Sequence, residues 1–263
     1  MLNNSIKNLL LVNIILILSL LTISCSNNNS KKIELLVFAP ASMSDVLPKI
    51  SKNFYNKDIN IIFDFGGSAI LASKISNGAP ADIYISAGTS TYSTLENNNL
   101  LYKPKQTIVK NNLVVVTTKD LENIKTIYDF KDNSISRIAI ANPDFAPAGK
   151  YAIESLKNLD LWKNIKEKVV LGADVRSTLN YVLTENSDLA IVYFSDTIFT
   201  DLKPLDIIPS DSYSEILYPA SIIKNSKHPE HSEQFIQHLI SLSSQKTFEK
   251  YGFDPIIDIK SSN

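Results

Sequence analysis

Short, unbroken apolar runs recur along this chain, and most are followed by a stretch with amphipathic helical spacing. Ile33–Phe38 reads as a buried strand and Ser44–Tyr55 as a helix, then Ile59–Phe63 as a strand, Ser68–Ser76 as a helix and Ile83–Ile85 as a third strand. Runs without polar alternation predict strands buried on both faces, which requires helices on both sides of the sheet and favours parallel pairing. A second series begins at Leu113–Thr117 and continues through Ile138–Ala141, Lys168–Leu171 and Leu189–Tyr193, with helices at about Lys150–Leu159 and Val175–Glu185. Ala152, Leu156 and Leu159, and Val175, Leu179, Val182 and Leu183, fall on one face of their helices and should bury it. After Pro204 come a loop, a strand-like Ala220–Ile223 and a final helix at about Ser232–Lys250. The pattern is α/β, with two lobes joined by short crossovers and a ligand cleft between them.

Charge narrows the function. With 26 Lys+Arg against 27 Asp+Glu, the formal net charge is -1 and there is no cationic field for a nucleic acid backbone. Arg137 and Arg176 are the only arginines, so clamps built from several guanidiniums are ruled out. No HExxH, CxxC, GxGxxG, Walker or nucleophile-elbow pattern occurs, and no paired carboxylates stand out, so the chain is expected to be no enzyme and to carry no cofactor. His228 and His231, with His238 nearby, sit where a loop enters the last helix and read as a solvated helix start rather than a metal site.

The N-terminus is export machinery. Met1–Ser24 holds one charge, Lys7, and the apolar run Leu9–Leu21, broken only by Asn13 and Ser19. That run is short for a membrane span and fits the core of a secretory signal. The single cysteine, Cys25, follows at once and opens a polar tether, residues 25–32. Leu21-Thr22-Ile23-Ser24-Cys25 resembles the lipobox of bacterial lipoproteins, although Thr22 stands where leucine is usual and Leu21 lies one place early. A lipid anchor at Cys25 is expected; the alternative is a plain signal peptide with an incidental cysteine. What remains is about 240 residues, enough for one large or two medium domains.

Four helix starts lie at the carboxyl ends of strands. They are Ala41-Ser42-Met43-Ser44-Asp45, Gly66-Gly67-Ser68, Pro147-Ala148-Gly149-Lys150 and Gly172-Ala173-Asp174-Val175. In open α/β sheets this is the ligand side. A helix N-terminus offers unpaired N–H groups and about half a positive charge, so several together can hold a small oxyanion without a lysine or arginine. The competing reading is that Ser42, Ser68 and Asp174 only cap their own helices.

Seven blocks occur in order: Ala41-Ser42-Met43; Phe65-Gly66-Gly67-Ser68-Ala69-Ile70-Leu71-Ala72; Gly78-Ala79-Pro80-Ala81-Asp82-Ile83-Tyr84-Ile85-Ser86-Ala87; Pro147-Ala148-Gly149-Lys150-Tyr151-Ala152; Asp174-Val175-Arg176; Ile191-Val192-Tyr193; and Tyr218-Pro219-Ala220. Over residues 33–255 the chain resembles the periplasmic molybdate-binding proteins of bacterial molybdate ABC importers. The resemblance implies a type II periplasmic-binding fold, with residues 33–110 plus 218–263 as one lobe and 111–217 as the other. It implies that Ser42 and Ser68 donate hydroxyl and backbone hydrogen bonds, Ala148 and Val175 backbone N–H groups and Tyr193 its phenol, to molybdate or tungstate. Molybdenum would then enter only as the oxyanion, with no protein ligand on the metal. A monomeric, lipid-anchored receptor in the cell envelope that serves an ABC permease is expected. Where the family commonly has Asp-Pro-x-His-Val before Pro-Ala-Gly, this chain has Asn142-Pro143-Asp144-Phe145-Ala146. Arg176, one position from the Val175 donor, is read as structural, pairing with a carboxylate or capping carbonyls, and Asp82 as fixing a turn. Two alternatives stay open: a receptor for sulfate or another oxyanion, and a secreted α/β enzyme using Ser42 or Ser68 as nucleophile.

Overall fold

Two five-stranded sheets organise the chain, which was analysed as a computed structural model describing residues 32–102, 105–198 and 200–259. The first sheet has the order β2-β1-β3-β10-β4, built from β1 (Ile33–Pro40), β2 (Ile59–Gly66), β3 (Ile83–Ile85), β4 (Gln106–Asn111) and β10 (Ile216–Ile222). The second has the order β7-β6-β8-β5-β9, from β5 (Leu113–Val116), β6 (Ile138–Ala141), β7 (Val169–Gly172), β8 (Leu189–Tyr193) and β9 (Asp206–Ile207). Both sheets belong to one unit, Ile33–Asn263. The leader, including Cys25, lies outside the described residues.

The helices are α1 (Val46–Ser51), α2 (Ser68–Ser76), α3 (Thr89–Asn97), α4 (Pro147–Asn158), α5 (Trp162–Ile165), α6 (Val175–Leu183), α7 (Pro229–Leu239) and α8 (Leu242–Lys250). Strand pairing follows from burial. β1 is flanked in parallel by β2 and β3, and β6 by β7 and β8. The expectation of purely parallel sheets needs correction, because β10 runs antiparallel to β3 and β4, and β5 antiparallel to β8 and β9. The antiparallel strands are where the chain crosses between sheets: β4 leads into β5 through Asn112 alone, and the return runs from β9 to β10.

The main core joins both sheets through Leu35, Val37, Ile83, Val114, Ile140 and Ile191, each 1% exposed or less. On the other face of the first sheet Phe38 and Tyr84 pack against Leu71 and Ile75 of α2 and Leu95 of α3. Burying each such aliphatic side chain contributes roughly 1.5–3 kcal/mol relative to exposure. Several element limits, and one buried face, differ from the sequence reading. The helix expected over Ser44–Tyr55 is a 3-10 turn at Ala41–Met43 followed by the short α1. The final helix breaks at Ile240–Ser241, where the Ser241 hydroxyl accepts from the Ser244 N–H and starts α8 afresh. Leu183, expected on a buried face, is 42% exposed at the end of α6.

Register places the functional ends side by side. Pro40 pairs with Gly66 and Ala141 with Gly172, so β1 and β2 stop at one level and β6 and β7 at another. The turns that follow each pair therefore open next to each other. Asp82 secures the first arrangement: its carboxylate accepts from the Leu36 N–H at 2.9 Å and the Ser226 hydroxyl at 2.5 Å, which is the structural role expected of it.

Candidate oxyanion site

Ser42, Ser68, Ala148, Val175 and Tyr193 all line one cavity between the sheets, whose free space is about 10 Å³. That is room for about one water molecule, so the walls stand nearly in contact and anything larger than a small solute would have to part them widely. Its other walls include Gly66, Gly67 and Ala87 from one side and Ala146, Pro147 and Asp174 from the other. No lysine, arginine or histidine is among the lining residues. A wider, shallow trough along α2 and Phe145 lies outside this cavity, and its Lys74 and Asn77 donors are engaged by Asp64 and the Ser73 carbonyl.

Each wall has a local cause. Pro147 occupies the first turn of α4, where its fixed φ is pre-set and its missing N–H costs nothing, so the Ala148 N–H behind it opens towards the cavity. Gly149 follows because no other residue fits: a Cβ there would lie 1.9 Å from the Ala141 carbonyl oxygen. Asp174 caps α6, with its carboxylate accepting from the Ser177 N–H at 2.8 Å and Ser177 completing a capping box. Capping is thus the role of Asp174 but not of the two serines. Gly67 is the N-cap of α2 and makes no side-chain cap, and the Ser68 hydroxyl accepts instead from the Ala87 N–H at 3.1 Å. The Ser42 hydroxyl lies 3.0 Å from the Tyr218 hydroxyl and caps nothing.

Tyr193 ends β8, and its hydroxyl donates to the Ala87 carbonyl at 3.3 Å, a long contact from the second sheet to the first. Burial pushes the phenols of Tyr193 and Tyr218 well above their usual range, so both stay protonated donors at neutral pH. Their rings meet edge to face at 6.1 Å.

The two sides touch at several points around the cavity. The Ala69 N–H donates to the Phe145 carbonyl at 3.1 Å, and Gly67 lies so close that a Cβ would sit 2.6 Å from the same oxygen. Gly88, at φ +146°, lets the chain pass the Tyr151 hydroxyl. Arg176 does not line the cavity. It binds Asp45 at 2.6 Å across the cleft, lies 2.8 Å from Asp196 on its own side and comes within 3.5 Å of the Ser42 carbonyl. The Asp196 contact is electrostatic rather than an aligned hydrogen bond. Arg176 therefore does both things expected of it, pairing with carboxylates and approaching a carbonyl. Burial raises the carboxyl of Asp196 to about 7, outweighing the lowering by Arg176 and by the Tyr193 N–H it accepts.

Asn111, Tyr218, Ala87 and Asp196 support the site and were not singled out from sequence. Tyr218 stood in a matched block, and Asn111-Asn112 is a polar break between two strand-forming runs, which is the signal that could have marked it. His228 and His231 lie at the start of α7 with rings 6.2 Å apart, and among the described residues no group of three or more His, Cys, Asp or Glu is placed to hold a metal ion.

Two lobes closing on a small cavity ringed by helix starts define a solute-binding protein of the periplasmic-receptor type. Residues 35–254 match the family model of bacterial extracellular solute-binding proteins, and the chain belongs to that family, whose members are receptors and not enzymes. It is 37% identical to the provisionally named ABC transporter substrate-binding lipoprotein YvgL of Bacillus subtilis (strain 168), over 89% of this chain and 93% of that protein. It is 32% identical to the molybdate-binding protein ModA of Haemophilus influenzae, over 84% of this chain and 89% of the other. Among solved structures it is similar to the substrate-binding domain of a provisionally assigned molybdenum ABC transporter from Clostridium difficile, with a TM-score of 0.68 and 33% identity, covering 86% of this chain and 100% of that one.

Proposed function

We propose that the chain is the receptor of an ABC importer for molybdate or tungstate, held by the hydroxyls of Ser42, Ser68 and Tyr193 and by backbone N–H groups at Ser42, Ser68, Ala148 and Val175. The observation that carries this is the convergence of four helix or turn starts on one small cavity whose walls contain no cationic side chain. A dianion in that position is stabilised by N–H groups and helix dipoles, which need no countercharge and desolvate it in a fixed geometry. The names borne by the relatives support molybdate over sulfate, which shares the charge and shape. Lobe boundaries at 33–110 plus 218–263 and at 111–217, lipidation at Cys25, a location on the outer face of the membrane and a monomeric state belong to the same proposal.

A thermal-shift series over molybdate, tungstate, sulfate and phosphate tests it, since a ligand that binds only the folded state raises the melting temperature by mass action. Molybdate and tungstate should give the largest shifts. Ser68→Ala combined with Tyr193→Phe removes two charge-assisted bonds and should abolish the shift, each bond being worth roughly 1.5–3 kcal/mol. A larger shift with sulfate would move the receptor to a different oxyanion, and turnover of a phosphate or sulfate ester abolished by Ser68→Ala would restore the enzyme alternative. For the anchor, a Cys25→Ser variant should leave the membrane fraction.

A further inference from the structure

The direction of a hydrogen-bond chain behind Ser42 is fixed by a residue that never reaches the cavity. Ser42 Oγ and Tyr218 Oη are 3.0 Å apart, and either could donate. Asn111, the last residue of β4 at the crossover between sheets, resolves the choice. The Asn112 N–H donates to Asn111 Oδ1 at 2.9 Å, which commits the oxygen end of the amide. The Asn111 NH₂ group therefore faces Ser195 Oγ at 2.9 Å and Tyr218 Oη at 3.2 Å, and it can only donate. Tyr218 accepts from it, so the single phenolic proton goes to Ser42 Oγ. Ser42 in turn accepts, and its own proton is left for the cavity it lines. The Ser68 hydroxyl oxygen also accepts, from the Ala87 N–H. Asp174, the carboxylate among the lining residues, is committed through Oδ1 to the N–H and hydroxyl of Ser177.

We infer that Asn111 and Tyr218 are specificity-determining positioning residues: the relay Asn111 to Tyr218 to Ser42 leaves the Ser42 hydroxyl as a proton donor to the cavity. A donor at Ser42 favours a bare oxyanion oxygen at that position and disfavours the protonated oxygen of hydrogen phosphate or hydrogen arsenate, which would need Ser42 to accept instead. The inference rests on the oxyanion reading of the cavity and deepens it, by naming what sets selectivity by protonation state.

Asn111→Asp is close to isosteric and replaces the donor by an acceptor, which reverses the relay. Tyr218 then donates to the new carboxylate, Ser42 donates to Tyr218, and a lone pair faces the ligand. Calorimetry with molybdate should show a loss of about 10- to 100-fold, with a smaller or no loss for hydrogen phosphate. Added negative charge alone would also weaken molybdate, so the deciding comparison is Asn111→Asp with Tyr218→Phe. Cutting the relay frees the Ser42 proton again, and the double variant should recover most of the lost affinity; a double variant as weak as Asn111→Asp overturns the inference. Tyr218→Phe alone removes the bond that holds the Ser42 oxygen and should weaken molybdate by about two- to fivefold, and unchanged or higher affinity would mean that Tyr218 does not set the direction of the Ser42 hydroxyl. This arm needs no charge change and holds even if Asn111→Asp fails to fold. A wild-type chain that binds no tetrahedral oxyanion would refute the functional reading itself, whereas a wild type that binds while the variants disobey this order refutes only the relay.

Discussion

Burial of Asp196 gives a carboxyl whose proton is held to about pH 7, well above the 3.8 of an ordinary aspartate. Between those values the folded chain holds a proton that the unfolded chain has lost, so folding stability from this group is full below about pH 4 and is lost as the pH rises through about 7. Melting temperatures of the wild type relative to Asp196→Asn should therefore fall as the pH is raised from 4 to 7.5, and a flat difference would mean that Arg176 keeps Asp196 ionised throughout. At this scale the sequence was partly legible. Helix starts are local patterns and marked the segments holding Ser42, Ser68, Ala148 and Val175, the family resemblance picked out those residues and Tyr193, and the cavity gathers all five. The partners behind them could not: Asn111 lies 107 residues from Tyr218, and Arg176 lies 134 from Ser42, separations that no spacing rule reaches.

Two glycines at helix starts divide folding from closure. Gly149 begins α4 against its own sheet, and a Cβ there would overlap the Ala141 carbonyl at 1.9 Å, so Gly149→Ala should lower stability by about 1–3 kcal/mol or more in a denaturant titration. Gly67 meets the Phe145 carbonyl from the opposite side of the cleft at 2.6 Å, with an ordinary φ of -62°, so Gly67→Ala leaves each lobe intact and obstructs only their approach. It should weaken oxyanion binding by about tenfold or more while the melting temperature without ligand changes by no more than a few degrees; a variant that binds like the wild type would show that closure is not required. Elements with strong periodicity were readable to the residue: Ser68–Ser76, Ile83–Ile85, Ile138–Ala141 and Leu189–Tyr193 have the predicted limits. The misses have physical reasons. α3 is Thr- and Ser-rich and helical through packing of Tyr92 and Leu95, and β4 carries polar residues because it is an edge strand. The antiparallel strands escape a reading that looks at one run at a time, since direction is set by the crossovers and not by composition.

For the whole molecule, near-zero net charge and a cavity without cationic walls lead to one expectation. Ligand is held by fixed dipoles at close range, so affinity should change little between 0.05 and 0.5 M salt, the opposite of a receptor that relies on exposed lysines or arginines. The Arg176–Asp45 pair, half-open to solvent, joins the lobes beside the cavity and can add only a modest, salt-sensitive bias towards closure. The central claim is that the cleft holds one fully deprotonated tetrahedral dianion on neutral donors. Titration calorimetry of residues 33–263 with molybdate and, separately, with hydrogen phosphate tests it most directly. One molybdate per chain, bound at least a hundredfold more tightly than hydrogen phosphate, is the predicted result; equal or tighter binding of hydrogen phosphate, or no heat with any tetrahedral oxyanion, would contradict it.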